Sequence, residues 1–307
     1  MTGLIIKHTG SNYTVRNQET GTNINCGVKG KLRLKGLKTT NPIAVGDQVV
    51  FEPVAEGEGV ISQVLPRKNY IVRRSSNLSR QAHVLAANID KAFLITTIVY
   101  PRTSFEFIDR FLVTAEAYNI PACLVVNKTD LYTSAELRDE LEYFRKVYRS
   151  AGYEIIETSA IEHRGIETIR KMIPGRISLL AGNSGVGKSS IINALNPALK
   201  LRTGEISQAH NKGTHTTTFY EMFELCEGFV IDSPGIKGFG LIDMDRNEIY
   251  HFFPEIFKAA ADCRFNMCTH TCEPGCAVKQ AVEDSIISES RYISYLKILE
   301  DDEDKYR

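Results

Sequence analysis

The segment GNSGVGKS at residues 182–189 matches the phosphate-loop pattern G-x-x-x-x-G-K-S without a mismatch. The apolar segment ISLLA precedes it and SSIINAL follows it, so the loop is predicted to join a buried strand to a helix. Glycines let backbone N–H groups turn toward phosphate oxygens, and the helix adds its positive N-terminal end. We expect Lys188 to contact the β- and γ-phosphates of a nucleotide and Ser189 to bind Mg²⁺. The predicted phosphate-binding residues are Gly182, Asn183, Ser184, Gly185, Val186, Gly187, Lys188, Ser189 and Ser190.

A second motif, NKTD at residues 127–130, favours guanine over adenine. An aspartate carboxylate can accept hydrogen bonds from guanine N1–H and from its N2 amino group, and adenine has no such pair of donors. Asn127 is predicted to tie this loop to the phosphate loop, and the Lys128 stem to cover the base. Alone, NKTD is a weak signal, because it is common in surface turns. The segment Thr158-Ser159-Ala160, whose backbone N–H could meet guanine O6, is a weaker signal still. Combined with the phosphate loop, they predict a GTP site that includes Asn127, Lys128, Thr129, Asp130, Ser159 and Ala160.

A third motif, DSPG at residues 232–235, follows the apolar segment GFVI. It has the D-x-x-G form in which Asp232 would hold Mg²⁺ through water and the Gly235 N–H would sense the γ-phosphate. The alternative is an ordinary turn at the end of a strand. Its position a few tens of residues after the phosphate loop favours the nucleotide-binding interpretation.

The order of these motifs differs from that of ordinary small GTPases, in which the phosphate loop comes first and N-K-x-D comes late. Here residues 127–130 and 158–160 precede the phosphate loop, and DSPG follows it. A circular permutation explains this order, because chain ends that lie close in space can be rejoined without altering the site. The segment after Gly235 would then run directly into the C-terminal region and could transmit a γ-phosphate-dependent movement.

A cluster of cysteine and histidine residues near the C-terminus has the spacing of a metal site. Four of the seven cysteines lie between residues 263 and 276, and three of them form the pattern C-x4-C-x-H-x5-C with a histidine. Three thiolates and one imidazole suit a closed, structural zinc site. The predicted ligands are Cys263, Cys268, His270 and Cys276, with Cys272 as a fifth candidate that could replace a neighbour.

Three segments with different patterns must position these motifs. Residues 1–68 contain short β-branched segments separated by turn-forming residues, which predict a small barrel. An OB-fold is the natural candidate, and periodicity does not separate it from an SH3-like barrel. Residues 69–243 alternate strand and helix, as in a parallel α/β sheet. Residues 244–307 are predicted to form a helical lobe around the Cys/His cluster.

The composition is that of an ordinary globular protein, with 37 Lys+Arg balanced by 37 Asp+Glu. The N-terminus lacks the apolar core of a signal peptide, and no stretch approaches the ~18 apolar residues of a membrane-spanning helix. We therefore expect a cytoplasmic protein with no membrane partner, and a monomer. Basic residues on a barrel face suit an RNA backbone, although a merely solvated face is equally compatible with charge alone. Those that alternate along an apparent strand and loop are Lys29, Lys31, Arg33, Lys35 and Lys38, and a second group follows at the domain junction: Arg67, Lys68, Arg73, Arg74 and Arg80.

Over nearly its full length the chain resembles the ribosome-small-subunit-dependent GTPases, the RsgA (YjeQ/YloQ) family. The resemblance rests on the permuted motif order and on the cysteine spacing described above. It implies an N-terminal OB-fold, a circularly permuted P-loop GTPase domain and a C-terminal zinc lobe. It also implies binding to the small (30S) ribosomal subunit and its rRNA, and GTP hydrolysis, stimulated by that subunit, during its late maturation.

The residue that supports hydrolysis is less evident. Many GTPases orient the attacking water with a glutamine directly after D-x-x-G, but this chain has Ile236 there. The segment 212–218, KGTHTTT, resembles the family's G-R-H-T-T-T. By position, Thr217 is the predicted Mg²⁺-sensing threonine, with Thr216 as runner-up, and His215 is the candidate for positioning water. The alternative for His215 is a loop side chain that meets RNA or solvent, and Thr214 replaces the family's usual arginine.

Two other functions are compatible with parts of the sequence. A metabolic P-loop kinase would explain the phosphate loop, but NKTD and DSPG argue against it. A non-hydrolysing, GTP-dependent RNA-binding scaffold would explain Ile236. A turnover assay with small subunits separates the scaffold from the GTPase.

Overall fold

The N-terminal part of the molecule is a five-stranded barrel. The structure, a computed structural model, describes residues 1–10, 12–28, 43–74, 82–200, 221–232 and 245–303. The barrel strands are β1 (Thr2–Thr9), β2 (Asn12–Asn17), β3 (Asn23–Val28), β4 (Gln48–Ala55) and β5 (Glu58–Val64). They pair in the order β1-β2-β3-β5-β4, and β4 pairs back to β1 to close the barrel. The prediction of an OB-like barrel is confirmed.

The third barrel strand lies at a position that the sequence did not suggest. The sequence favours a strand in VKGKLRL, residues 28–34, and only Val28 of that segment is among the described residues, so this prediction is untested. In the described part of the chain, β3 covers Asn23–Val28. Gly21, in the turn after β2, has a positive φ of 65°, and the chain reverses at once. Pairing with β2 therefore begins at Asn23, and most of the expected segment lies outside the described residues.

The central part of the molecule is a six-stranded sheet with helices on both faces. Its strands are β8 (Lys91–Thr96), β9 (Ala122–Val126), β10 (Glu154–Glu157), β11 (Ile177–Ala181), β12 (Glu221–Leu225) and β13 (Gly228–Asp232). They lie in the order β10-β9-β8-β11-β13-β12, and all are parallel to their neighbours except β12. A separate hairpin of β6 (Tyr70–Arg74) and β7 (Ala82–Ala87) connects the barrel to this sheet.

Successive residues of the central strands face opposite sides of the sheet and so form two apolar layers. In β8, Ala92 and Leu94 belong to the cluster on one face, and Phe93 and Ile95 belong to the cluster on the other. Helices α1 (Phe105–Ala117) and α2 (Ala135–Ser150) cover the first face, and α3 (Ile166–Met172) and α4 (Lys188–Leu195) cover the second. Because both faces are covered, the inner strands β8, β9 and β11 are mostly apolar, as expected for a parallel sheet.

The C-terminal lobe contains three helices, α5 (Pro254–Ala260), α6 (Ala277–Glu283) and α7 (Glu289–Glu303). Before α5, residues Arg246–Phe252 form a 3₁₀ helix. Pro254 starts a new helix instead of continuing this one, because proline lacks a backbone N–H. Within the described ranges, no helix has the length and apolarity needed to cross a membrane.

The barrel is joined to the central sheet by paired strands, and a buried ion pair fixes the segment that follows the barrel. Strand β1 pairs with β12 at Lys7, so barrel and central strands form one continuous sheet. Asp47 accepts two hydrogen bonds of 2.6 Å from the Arg67 guanidinium, and both side chains are buried. Gly46 is required beside this pair, because a Cβ atom there would lie 2.1 Å from the Ala87 carbonyl oxygen.

The C-terminal lobe is attached to the central domain through Arg291 of α7. Its Nη1 donates to Asp109 on α1 at 2.8 Å, and its Nε donates to Glu255 on α5 at 2.7 Å. Asp109 also accepts a hydrogen bond of 3.0 Å from the Tyr148 hydroxyl on α2. The guanidinium lies 4.6 Å from the centre of the Phe253 ring. Arg291 therefore satisfies carboxylates from both domains at a fully buried interface.

Replacing Arg291 with methionine tests this attachment. The change leaves Asp109 and Glu255 as buried carboxylates without their partner, and removing one member of a buried ion pair costs about 3–5 kcal/mol. The free energy of unfolding, measured by urea denaturation, is expected to fall by that amount. The matched control is Lys297→Met on the same helix, which removes an exposed ion pair to Glu106 and should change stability by less than about 1 kcal/mol. Equal effects of the two substitutions would contradict the role of Arg291.

Candidate guanine-nucleotide site and metal centre

The phosphate loop joins β11 to α4, as the sequence predicts, and its glycines permit close backbone contacts. Gly182 has φ +146°, and a Cβ atom there would lie 2.4 Å from the Ile95 carbonyl oxygen on the neighbouring strand. Gly187 has φ +99°, and a Cβ atom there would lie 2.3 Å from Asn127 Nδ2. Both positions therefore need glycine, because any larger side chain would displace backbone or the NKTD loop.

Lys188 and Asp232 bring opposite charges to the same place. The Lys188 ammonium donates to the carbonyl oxygens of Gly182 and Asn183 at 2.8 and 2.9 Å. Burial lowers the pKa of Lys188 and raises the pKa of Asp232, and in each case the other group partly offsets the shift. Asp232 Oδ1 is buried and has no hydrogen-bond partner within the described part of the chain. A buried cation beside a free carboxylate oxygen suits an anionic ligand that carries a metal ion.

Asn127 connects three loops through one side chain. Its Nδ2 donates to the Val186 carbonyl in the phosphate loop at 2.9 Å. Its Oδ1 accepts a hydrogen bond of 3.0 Å from the Thr158 hydroxyl and one of 3.4 Å from the Ala160 backbone N–H. The link from the NKTD loop to the phosphate loop that we expected is present, and Asn127 also holds the 158–160 loop.

The NKTD loop presents Asp130 from a short turn. Residues Thr129–Leu131 form a 3₁₀ helix, preceded by Lys128 in the left-handed region at φ 64°. The Thr129 hydroxyl and backbone N–H both donate to the Thr158 carbonyl, at 3.0 and 3.1 Å. Asp130 is half-buried and makes no hydrogen bond within the described ranges. Its carboxylate is thus available to a ligand beside the phosphate loop, whereas Ser159 is fully buried and accepts from the Glu162 N–H at 3.2 Å.

Two contacts to the loop after β8 were not predicted from the sequence. The Tyr132 hydroxyl donates to the Asn127 carbonyl at 2.6 Å and accepts from the Ile98 N–H at 3.0 Å. The Lys128 ammonium donates to the Tyr100 carbonyl. The tyrosine two positions after NKTD is a sequence signal that could have suggested these contacts.

Some predicted site residues lie outside the described residues. They are His215 and Thr217 in the expected first switch and Gly235 in DSPG, together with the basic residues Lys29, Lys31, Arg33, Lys35, Lys38 and Arg80. Ser189 and Ser190 are described, and both lie in the first turn of α4, directly after the phosphate loop. The predicted roles of all these residues remain predictions.

The four predicted metal ligands come together in the C-terminal lobe. One ligand atom from each of Cys263, Cys268, His270 and Cys276 lies within 4.8 Å of all the others. The chain therefore contains a Cys₃His cluster that could hold a metal ion. His270 Nε2 is buried with no hydrogen-bond partner among the described residues, and Cys272 is exposed and lies outside the cluster.

A carboxylate organises the loop that carries His270. Glu273 accepts hydrogen bonds from the backbone N–H groups of Thr269, Thr271 and Cys272 at 2.6, 3.0 and 3.1 Å, and from the Thr269 hydroxyl at 2.7 Å. Burial acts to raise the pKa of Glu273, but these hydrogen bonds outweigh it and lower the pKa to about 2. No sequence motif marks this residue.

Two tyrosines of α7 donate hydrogen bonds to the backbone of the loop that carries His270. The Tyr292 hydroxyl donates to the His270 carbonyl at 2.6 Å, and the Tyr295 hydroxyl donates to the Thr269 carbonyl at 2.7 Å. The helix that carries Arg291 therefore also positions the metal-ligand loop.

Comparison with known protein families identifies the origin of this arrangement. The family model described as RsgA GTPase matches residues 64–242, and the model described as RsgA N-terminal domain matches residues 2–61. The chain belongs to the RsgA GTPase family. An RsgA GTPase is a GTP-hydrolysing enzyme, and its permuted motif order is the one observed in this chain.

Curated relatives match this RsgA GTPase over its whole length. "Small ribosomal subunit biogenesis GTPase RsgA 2" from Bacteroides thetaiotaomicron is 55% identical and aligns with 100% of this chain and 99% of its own. "Small ribosomal subunit biogenesis GTPase RsgA" from Christiangramia forsetii is 51% identical, with 100% and 98% covered.

Two solved structures share the fold of this RsgA GTPase. YjeQ from Thermotoga maritima superposes with a TM-score of 0.80 at 38% identity, covering 98% of this chain and 97% of that one. YloQ, described as a circularly permuted GTPase, superposes with a TM-score of 0.75 at 29% identity, covering 99% and 95%. The predicted fold class of barrel, circularly permuted GTPase domain and C-terminal metal lobe is confirmed.

Replacing Glu273 with glutamine tests whether the carboxylate preorganises the metal-ligand loop. The amide loses the negative charge and turns an NH₂ group toward backbone donors, so Zn²⁺ affinity should fall about tenfold. Competition with a chromophoric chelator measures this affinity without reference to enzymatic activity. Glu283→Gln, an exposed change on α6 of the same lobe, is the matched control and should leave it unchanged. Unaltered affinity in Glu273→Gln would show that the ligands are positioned without the carboxylate.

Proposed function

We propose that this chain binds the small (30S) ribosomal subunit and hydrolyses GTP during the late maturation of that subunit. The observation that carries the proposal is the convergence of the phosphate loop, the NKTD loop and the 158–160 loop on Asn127. Relatives 50–55% identical over the full chain carry the name small ribosomal subunit biogenesis GTPase, which supports the proposed partner.

In this proposal, each loop recognises a different part of GTP. Lys188 contacts the β- and γ-phosphates, together with the backbone N–H groups of the phosphate loop. Asp130 accepts from guanine N1–H and N2, and the 158–160 loop offers a backbone N–H to O6. The Lys128 stem covers the base, since its ammonium is already held by the Tyr100 carbonyl.

Magnesium fits the charge distribution at the phosphate loop. The proposed ligands are Ser189 and, from the first switch, Thr217, with Asp232 acting through water. The buried Asp232 Oδ1, which has no hydrogen-bond partner among the described residues, supports this assignment. The ion would neutralise phosphate charge that Lys188 alone cannot balance, and Gly235 would report the γ-phosphate.

Zinc is the metal that we propose for the C-terminal cluster. A tetrahedral zinc site, with Zn–S of about 2.3 Å and Zn–N of about 2.0 Å, places two sulfurs roughly 3.8 Å apart and sulfur and nitrogen roughly 3.6 Å apart. In the structure Cys263 Sγ and Cys276 Sγ are 3.9 Å apart, and His270 Nδ1 is 3.6 Å from each. With all four positions supplied by the protein, the ion would be structural.

The remaining parts of the proposal concern partners and location. We propose that the barrel and the basic residues named above contact rRNA, apart from Arg67, which is buried in its ion pair with Asp47, since positively charged barrel faces suit a phosphate backbone. We also propose that the protein acts as a cytoplasmic monomer. Because the residue after DSPG is Ile236 and not glutamine, His215 is the proposed residue for positioning the attacking water.

Phosphate release from GTP and ATP, with and without purified small subunits, tests the function. Release is expected from GTP and not from ATP, because Asp130 selects guanine. Small subunits should raise the GTP rate by at least ~10-fold, equivalent to about 1.4 kcal/mol of barrier. His215→Ala should lower the stimulated rate by roughly 10²-fold, and His251→Ala, in the C-terminal lobe, is the matched control.

Two outcomes would contradict separate parts of this proposal. Tight GTP binding with no subunit-dependent release would favour a GTP-dependent RNA-binding scaffold. Full stimulation of His215→Ala would remove the proposed role of that histidine and leave the rest intact.

A further inference from the structure

Tyr132 occupies a buried position behind the NKTD loop. It directly follows the 3₁₀ turn Thr129–Leu131, and its side chain is only 5% exposed. Its hydroxyl uses both hydrogen-bonding capacities: it donates to the Asn127 carbonyl at 2.6 Å and accepts from the Ile98 N–H at 3.0 Å. Burial raises the pKa of Tyr132 to about 12, so the hydroxyl keeps the proton that it donates.

The two partners of this hydroxyl belong to different loops. Asn127 begins the NKTD loop, and Ile98 lies in the segment that follows β8. In the same segment, the Tyr100 carbonyl accepts a hydrogen bond from the Lys128 ammonium. It also borders the phosphate loop, because a Cβ atom at Gly185 would lie 3.4 Å from Pro101 Cδ. Tyr132 thus ties the NKTD loop to a segment that supports both the base side and the phosphate side of the site.

The position of Asp130 depends on contacts on either side of it. On its N-terminal side, Thr129 bonds twice to the Thr158 carbonyl. On its C-terminal side, the turn is closed by the Leu131 N–H to the Lys128 carbonyl at 3.0 Å and by the Tyr132 N–H to the Thr129 carbonyl at 3.3 Å. The Asp130 side chain makes no hydrogen bond within the described ranges, so only the backbone of this turn fixes its direction.

We propose that Tyr132 is a positioning residue for guanine selectivity, whose hydroxyl fixes the turn that aims Asp130 at the base. The inference rests on the proposed function of Asp130 as the guanine-binding carboxylate. Phenylalanine would fill the same volume but leave the Asn127 carbonyl and the Ile98 N–H buried without this partner. A buried polar group that loses its partner is destabilising, and the turn can relieve this by shifting. A shifted turn weakens the bidentate contact between Asp130 and guanine.

The test compares Tyr132→Phe with wild type in the full chain. Dissociation constants are measured for GDP and for IDP, which lacks the exocyclic N2 amino group, and tripolyphosphate competition reports the phosphate loop alone. GDP affinity is expected to fall about tenfold, and IDP affinity by less, so the preference for GDP over IDP shrinks. Tripolyphosphate affinity should not change. The KM for GTP should rise while kcat stays constant, as expected for a loss of uniform binding.

The control is Tyr143→Phe, which removes a hydroxyl from an exposed tyrosine of α2 and should alter none of these values. An unchanged ratio of GDP to IDP affinity in Tyr132→Phe would overturn the proposal, even if the protein were less stable. Parallel losses of GDP, IDP and tripolyphosphate binding would also overturn it, because they indicate general damage to the site. Failure of the wild-type protein to prefer GDP over ADP would instead overturn the proposed function itself.

Discussion

The nucleotide site depends on the side chain of Asn127, which is almost completely buried and joins its own loop to two others by hydrogen bonds. Its amide holds the phosphate loop through Val186 and the 158–160 loop through Thr158 and Ala160. Gly187 makes this possible, since a Cβ atom there would lie 2.3 Å from Asn127 Nδ2. A buried polar group of this kind is stabilising only when all of its hydrogen bonds are made, so the three loops must adopt their positions together.

The permuted order of the motifs does not disturb this convergence, because the carboxyl ends of parallel strands meet at one edge of the sheet. Strands β8, β9, β11 and β13 each deliver a loop to that edge. The permutation instead changes what is attached to the domain. The C-terminal lobe is fixed on α1 by Arg291, and the same helix holds the metal-ligand loop through Tyr292 and Tyr295. The lobe and α1 are therefore connected by buried contacts independent of the switch after Asp232.

Much of the site could be predicted because its chemistry depends on residue type at fixed spacing. The phosphate loop, NKTD and the Cys₃His pattern require particular side chains, and the apolar segments beside the nucleotide motifs predicted parallel strands of the central sheet, although not β12. The separation of an OB-like from an SH3-like barrel was not accessible, because it depends on strand pairing and not on periodicity. Strand β3 at Asn23–Val28 was not expected from the sequence, because its position depends on pairing with β2.

The contacts that hold the site together were harder to predict from the sequence. Tyr132, Glu273 and Arg291 carry no motif, and their roles arise from partners that are 34, 4 and 182 residues away at Ile98, Thr269 and Asp109. Tyrosine beside a turn or arginine in a helix is common in ordinary surfaces, so residue type alone gives no signal. Only the folded chain shows that these side chains are buried and which groups they satisfy.

Amide hydrogen exchange with GDP and Mg²⁺ tests whether the three loops joined by Asn127 form one guanine-nucleotide site. Residues 126–131, 158–161 and 182–190 are expected to gain protection together when GDP is added, and ADP at the same concentration is expected to protect none of them. Protection confined to residues 182–190, or equal protection by ADP, would contradict it, because the phosphate loop would then bind nucleotide without the other two loops.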